Sequence, residues 1–183
     1  ALDSAPRKPE ERLLERILTP AAKYWLSKRN PGFMAEAMEC MGGNGYVEEG
    51  PMSRFFRESP LNSIWEGSGN VACLDVLRSI RRTPGCVDVL LDQILAGSSG
   101  DARLKEFAID LREELLTADE SNGRRVVEMA ALGVQSSLLA QHAPACVADP
   151  FINSRLIGRS GRAFGTLPRG TECDRIIKRS EMI

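Results

Sequence analysis

Apolar positions recur along the chain at the three- and four-residue spacing of helices that bury one side. Leu13, Leu14, Ile17 and Leu18 open the pattern. Thr19-Pro20 then reads as an N-cap followed by proline at the first helical position, restarting a helix through Tyr24, Trp25 and Leu26. Asn30-Pro31-Gly32 predicts a further interruption. Phe33, Met34, Ala37, Met38 and Met41 continue the apolar face to Gly42-Gly43, where glycine takes the left-handed conformation that follows a helix C-terminus. A loop from Tyr46 to Pro51, a short helix from Met52 to Glu58 and a loop at Trp65-Glu66-Gly67 come next. Val71, Leu74, Leu77 and Ile80, with Cys73 and Val76 beside them, form the stripe of the following helix. Its last turn carries Arg78, Arg81 and Arg82 at the negative end of the dipole.

Thr83-Pro84-Gly85 is the expected internal boundary, dividing residues 1–85 from 86–183. Beyond it the periodicity predicts helices around Val87 to Leu95, Ala102 to Leu116 and Gly123 to His142, then a connector from Pro144 to Pro150. A final helix from about Phe151 is weakened by Gly158, Gly161 and Gly165, each worth roughly 1 kcal/mol against alanine. Short turns between such helices imply antiparallel neighbours, hence an all-α, up-and-down bundle of about four helices with additional C-terminal helices. Composition agrees: 183 residues suffice for a well-buried core, and 5% aromatics against 43% hydrophobics favours helix packing over sheets.

Cys40, Cys73, Cys86, Cys146 and Cys173 form no C-x-x-C pair and His142 is the single histidine, so zinc and haem signatures are absent and no metal is expected. An odd count of thiols, three of them in apolar helical patterns, reads as reduced, mostly buried cysteines of a cytoplasmic protein. No apolar run approaches the ~20 residues of a membrane span. The start without methionine, in the charged segment Arg7-Lys8-Pro9-Glu10-Glu11-Arg12, reads as the interior of a longer protein.

Candidate chemistry concentrates in Asn62-Ser63-Ile64-Trp65-Glu66-Gly67-Ser68-Gly69-Asn70. Glu66 sits between apolar neighbours that would exclude water and raise its pKa, the setting of a carboxylate base; the alternative is a solvated loop glutamate before a helix cap. Ser68 or Asn70 is a plausible N-cap, and with Gly69 the turn offers donors to an anion or an ordinary cap without a ligand. Met41-Gly42-Gly43-Asn44-Gly45-Tyr46 is not a dinucleotide fingerprint, because a helix precedes its glycines and Glu48-Glu49-Gly50-Pro51 follows them.

These two segments together resemble the carboxy-terminal helical domain of the acyl-CoA dehydrogenases. The resemblance implies FAD as cofactor, an acyl-CoA thioester as substrate and homo-oligomeric assembly. It makes Glu66 the catalytic base that removes the α-proton while the β-hydrogen leaves as hydride to the flavin, and it places the Gly67 amide near the thioester carbonyl. Trp65, Ser68, Gly69 and Asn70 would contact the flavin. Gly42 and Gly43 would approach the ADP portion of an FAD held mainly by a neighbouring subunit, or serve only to turn the chain. Glu39 stands where family members often carry glutamine, which puts one such contact in doubt. Arg54 and Arg57 resemble an Arg-x-x-Arg-Asp stretch with glutamate in place of aspartate, and are read as structural. The chain continues about a hundred residues beyond the helix that ends ordinary family members, as in a branch linked to alkylation damage and duplex-DNA binding.

Charge bears on that branch. The net charge of −1 hides an asymmetry: residues 86–149 hold five Lys/Arg against eleven Asp/Glu, residues 150–183 seven against three. Arg155, Arg159 and Arg162 fall at i, i+4 and i+7, one face of a helix, and with Arg78 are candidates for phosphate contacts to duplex DNA. A solvated face paired to the acidic preceding helices is the other reading.

Overall fold

The computed structural model describes residues 8–180, so Arg7 of the charged segment lies outside it. The described residues are helical and form no strand: α1 (Pro9–Cys40), α2 (Gly43–Tyr46), α3 (Met52–Glu58), a 3₁₀ turn (Ser59–Ser63), α4 (Gly69–Arg82), α5 (Cys86–Ala96), α6 (Ala102–Leu116), α7 (Gly123–His142), α8 (Ala145–Arg155) and α9 (Cys173–Ser180). The all-α class follows as composition and periodicity implied. Among the described residues no helix is long and apolar enough to cross a membrane. Two compact units divide the chain: the first runs to Cys86 and takes Ala118–Glu128, the second takes Val87–Thr117 and the residues from Met129 onward.

In the first unit α1 is one uninterrupted helix of 32 residues, with Pro20 and Pro31 inside it. The breaks expected at Thr19-Pro20 and Asn30-Pro31-Gly32 do not occur. An interior proline costs about 3 kcal/mol, whereas each fully buried Leu or Ile returns about 1.5–3 kcal/mol. Leu14, Ile17, Ala21, Tyr24 and Trp25 are buried where α1 packs on α4, whose Ala72, Cys73, Val76 and Leu77 are buried in turn. Packing outweighs local propensity.

Pro20 has no N–H, so the Arg16 carbonyl four residues earlier loses its helical donor. The hydroxyl of Ser79 on α4, itself buried, lies 3.3 Å from that carbonyl oxygen and 2.8 Å from the Asp75 carbonyl. One turn away the Arg16 guanidinium donates to both oxygens of Asp75, at 2.7 and 2.8 Å, and Arg78 adds a third bond at 3.1 Å. The same stretch of α1 is thus tied to α4 through backbone and side chain.

The inward face of α4 is rotated from the expected stripe. Cys73, Val76 and Leu77 are buried, but Val71 and Leu74 are exposed, because apolar residues cover two neighbouring arcs and α1 covers one. At the end of α1, Gly42 has positive φ with ψ −147°, which is not the left-handed helical form expected there, and Gly43 has no positive φ. The glycine sterically required is Gly45, where a Cβ would collide with the Met38 carbonyl oxygen. Arg57, read as structural, pairs with Glu48 at 2.5 and 3.0 Å, bracing the loop before α3.

The second unit buries Leu90, Leu91 and Ile94 of α5, Leu104, Leu111 and Leu115 of α6, Ala130 to Leu132 of α7, and Ile152 of α8. Gly133 lets α7 close on Ile94 and Phe107, since a Cβ there would meet their side chains at 2.8 and 2.9 Å. Asp101 caps α6 by accepting from the Arg103 N–H, and Arg103 reaches Asp149 and Asn153 on α8 at 2.7 and 3.0 Å. The segment expected as a connector, Pro144 to Pro150, is mostly helical: α8 starts at Ala145, includes Pro150 and buries Ala148 and Ile152 one turn apart. The helix expected from Phe151 onward ends at Arg155, with Gly158 at φ +71° just beyond. Cys73 and Cys86 are buried as expected of apolar-face thiols, but Cys40 and Cys173 are exposed.

Ser79→Ala is expected to destabilise the protein by about 1 kcal/mol in urea unfolding, and to have little effect in a Pro20→Ala background, where the restored N–H serves the Arg16 carbonyl. The bond to Arg16 holds the Asp75 carboxyl below its usual pKa. A depressed folded pKa contributes stability above the unfolded value and loses it as pH falls through the folded one. Asp75→Asn is therefore expected to lower the melting temperature at pH 7, with the difference from wild type closing as pH falls below the ordinary carboxylate range.

Candidate functional site

The Arg16–Asp75 seam forms the wall of a groove of about 790 Å³ between α1 and α4. Val71, Ala72 and Leu74 line it with apolar groups and Arg12, Arg16, Lys23 and Arg78 with cations beside the carboxylates of Glu15 and Asp75, and Glu66 and Gly67 belong to the same lining. The two arcs of α4 therefore have different uses: one packs on α1, the other faces this groove.

The loop carrying Glu66 has an unusual backbone. Glu66 adopts φ +52° and Gly67 φ +105°, two successive positive values. For a side chain with a Cβ the left-handed region costs about 1–2 kcal/mol, so the loop needs external support. Lys23, from the middle of α1, supplies it: its ammonium donates to the Trp65 carbonyl at 2.8 Å and to the Gly67 carbonyl. The Gly67 N–H has no acceptor among the described residues. Ile64 and Trp65 are 64% and 55% exposed, so in this chain they do not enclose Glu66, which is itself exposed. The desolvation expected from its apolar neighbours needs a covering surface that these residues do not supply.

Ser68 occupies the N-cap position of α4 with extended backbone, and its side chain makes no capping bond, leaving first-turn amides without that partner. Gly69 is buried: a Cβ there would stand 2.5 Å from Lys28 Cε and 3.4 Å from the Tyr24 ring. Asn70 Oδ1 accepts from Arg124 Nε at 2.9 Å, so that oxygen is engaged within the unit. Beneath this turn burial raises the Cys73 thiol to about 11, and burial also raises Tyr24.

Gly42 and Gly43 lie elsewhere. Lys23 touches the Glu66 loop, and Cys40, at the end of α1, follows it by seventeen residues, roughly 25 Å of helix at 1.5 Å per residue. Both glycines are exposed, and a Cβ on either would meet no atom within 4 Å. Exposed Glu39 precedes them, its carbonyl accepting from the Gly42 N–H.

The arginines considered for DNA do not form a helical stripe. Arg155 ends α8, while Arg159 and Arg162 lie in the irregular segment after it, and Arg78 pairs with Asp75. The i, i+4, i+7 spacing has no meaning once the helix stops.

Sequence reasoning missed Lys23, Arg16, Asp75 and Arg124. A signal existed for Lys23: it sits in the mostly apolar run Ala21-Ala22-Lys23-Tyr24-Trp25-Leu26, with no carboxylate three or four residues away to pair with.

Residues 2–81 match the family model described as "Acyl-CoA dehydrogenase, C-terminal domain". AidB of Escherichia coli (strain K12) is 40% identical over 136 residues, 74% of this chain and 25% of AidB. Acyl-CoA dehydrogenase family member 11 of Caenorhabditis elegans is 38% identical over 68 residues, 37% of this chain and 11% of the relative. The crystal structure of Caenorhabditis elegans ACDH-11 in complex with C11-CoA superposes with a TM-score of 0.70 at 22% identity, covering 96% of this chain and 35% of that one, which shows a shared fold. The chain thus spans a quarter or less of these two curated relatives. The family likeness thus rests on residues 2–81, which hold α1, the Glu66 loop and nearly all of α4 and are similar to the C-terminal domain of the acyl-CoA dehydrogenases.

Proposed function

We propose that this chain is the part of an FAD-dependent acyl-CoA dehydrogenase-like flavoprotein that carries the catalytic base, Glu66. The observation that carries the reading is the presence of Glu66 and Gly67 in the lining of a groove that also holds apolar Val71, Ala72 and Leu74, in a backbone conformation held from α1. The family match supplies the chemistry to which such a site is suited.

In this reading an acyl-CoA thioester places its α-carbon beside the Glu66 carboxylate. Glu66 takes the α-proton, and the C–H electron pair becomes the new α,β double bond as the β-hydrogen leaves with its pair. The unpartnered Gly67 N–H donates to the thioester carbonyl, where negative charge grows as the proton leaves. FAD, when bound, supplies the acceptor for the hydride. The products on the substrate side are a 2-enoyl thioester and a protonated Glu66.

The chain's residues fit an FAD in part. Trp65 is exposed beside the base, Ser68 leaves its hydroxyl uncommitted at the start of α4, and Gly42 and Gly43 are open to approach. Gly69 acts instead by letting Tyr24 and Lys28 pack against the helix start, and Asn70 meets a ligand only through atoms not engaged by Arg124. The separation between the Gly42 turn and the Glu66 loop supports contacts to different ends or different copies of the cofactor, and hence a homo-oligomer. Exposed Phe33, Met41, Tyr46 and Trp65 support burial of this unit against further protein. The alternative, a duplex-DNA-binding flavoprotein with weak dehydrogenase activity, loses its geometric support with the arginine stripe.

Anaerobic titration of the FAD-loaded protein that contains this chain, with a panel of acyl-CoA thioesters, is expected to bleach the oxidised flavin with at least one of them. Glu66→Gln is expected to slow that bleaching by at least about 100-fold. Unchanged bleaching in the variant, or none with any thioester, would refute the reading. The isolated 183-residue chain is expected to purify colourless, since it offers only part of the flavin's surroundings; a yellow fragment in an absorbance scan would contradict this.

A further inference from the structure

We infer that Lys23 is a positioning residue for the base, fixing the two peptide units that flank the Glu66–Gly67 peptide. The inference rests on the reading of Glu66 as base. Lys23 Nζ donates to the Trp65 carbonyl at 2.8 Å and to the Gly67 carbonyl, so one ammonium holds two carbonyls that bracket a single residue. The Trp65 carbonyl belongs to the peptide unit entering Glu66, and the Gly67 carbonyl to the unit leaving Gly67. Between them lies one peptide, which carries the Gly67 N–H. With its neighbours held, the direction of that N–H and of the Glu66 side chain is set by the left-handed backbone at φ +52° and the following φ +105°.

A compact cation with several donors suits this task, because two carbonyl oxygens must be satisfied from one point. Lys23 emanates from α1 three residues after Pro20, beside the stretch tied to α4 by Ser79 and by Arg16–Asp75. The clamp is therefore anchored in the seam that also forms the groove, and Lys23, Glu66 and Gly67 all line that groove.

Flavin reduction by a thioester that bleaches the wild type tests the inference in the FAD-loaded protein, with Lys23→Met, Lys23→Gln and Lys23→Arg beside Glu66→Gln. Rates are taken per bound flavin, and thioester dissociation constants come from the concentration dependence. Lys23→Met and Lys23→Gln are expected to lower the limiting rate by about 10- to 100-fold, the scale of a small misplacement of a catalytic group, while the dissociation constant moves less than about threefold. Lys23→Arg is expected to recover most of the rate. A wild-type rate per bound flavin in Lys23→Met or Lys23→Gln overturns the inference, as does a loss seen only in the dissociation constant. Should neither variant fold, a Lys23→Arg rate no better than that of Glu66→Gln overturns it. Glu66→Gln separates the two readings: if it reduces flavin normally, base and clamp fall together; if it is inactive while the Lys23 variants are normal, the clamp alone falls.

Discussion

A carbonyl without its helical donor, in the middle of a 32-residue helix, is the constraint around which the first unit is arranged. Pro20 deprives the partly buried Arg16 carbonyl of its N–H. Ser79 answers it from α4, and the Arg16 side chain binds Asp75 one turn along the same helix. Together these contacts set where α1 and α4 meet, and with that the lining of the groove.

The Glu66 loop depends on the same seam. Its two positive φ values are unfavourable in isolation, and the Lys23 ammonium that holds them comes from α1 close to Pro20. Side chains that look like ordinary helix-surface charges, Lys23 and Arg16, thus have fixed acceptors on another element. Gly69 completes the arrangement by allowing Tyr24 and Lys28 to reach the start of α4, and Arg124 holds Asn70 there. The exposed Trp65 and Ile64 show what this unit does not do by itself, which is to keep water from Glu66.

In the second unit a single arginine has a comparable organising part. Arg103 joins the cap of α6 to Asp149 and Asn153 of α8, and its bonds to Asp101 hold that carboxyl below the usual range. That anchoring fits the early start of α8 at Ala145 and the inclusion of Pro150 in its interior. The basic residues that follow are left on irregular backbone, so a regular spacing of arginines in the sequence does not become a regular spacing in space.

Helical periodicity and composition sufficed for the class, for α3, α6 and α7, and for the loop bearing Glu66, because these depend on local pattern and on short polar or glycine-rich breaks. The motifs around Glu66 and Gly42 sufficed for the resemblance to the family whose C-terminal domain residues 2–81 match. Only the tertiary structure decided that α1 runs through two prolines, that α8 absorbs a third and that the arginine stripe dissolves after Arg155. It alone brought Lys23 to the carbonyls of residues 65 and 67. The reason is common to all four: a proline's cost or a lysine's partner is settled by groups distant in sequence, here Ser79 for the Pro20 break and Trp65 and Gly67 for Lys23, and local pattern carries no information about which of them arrive.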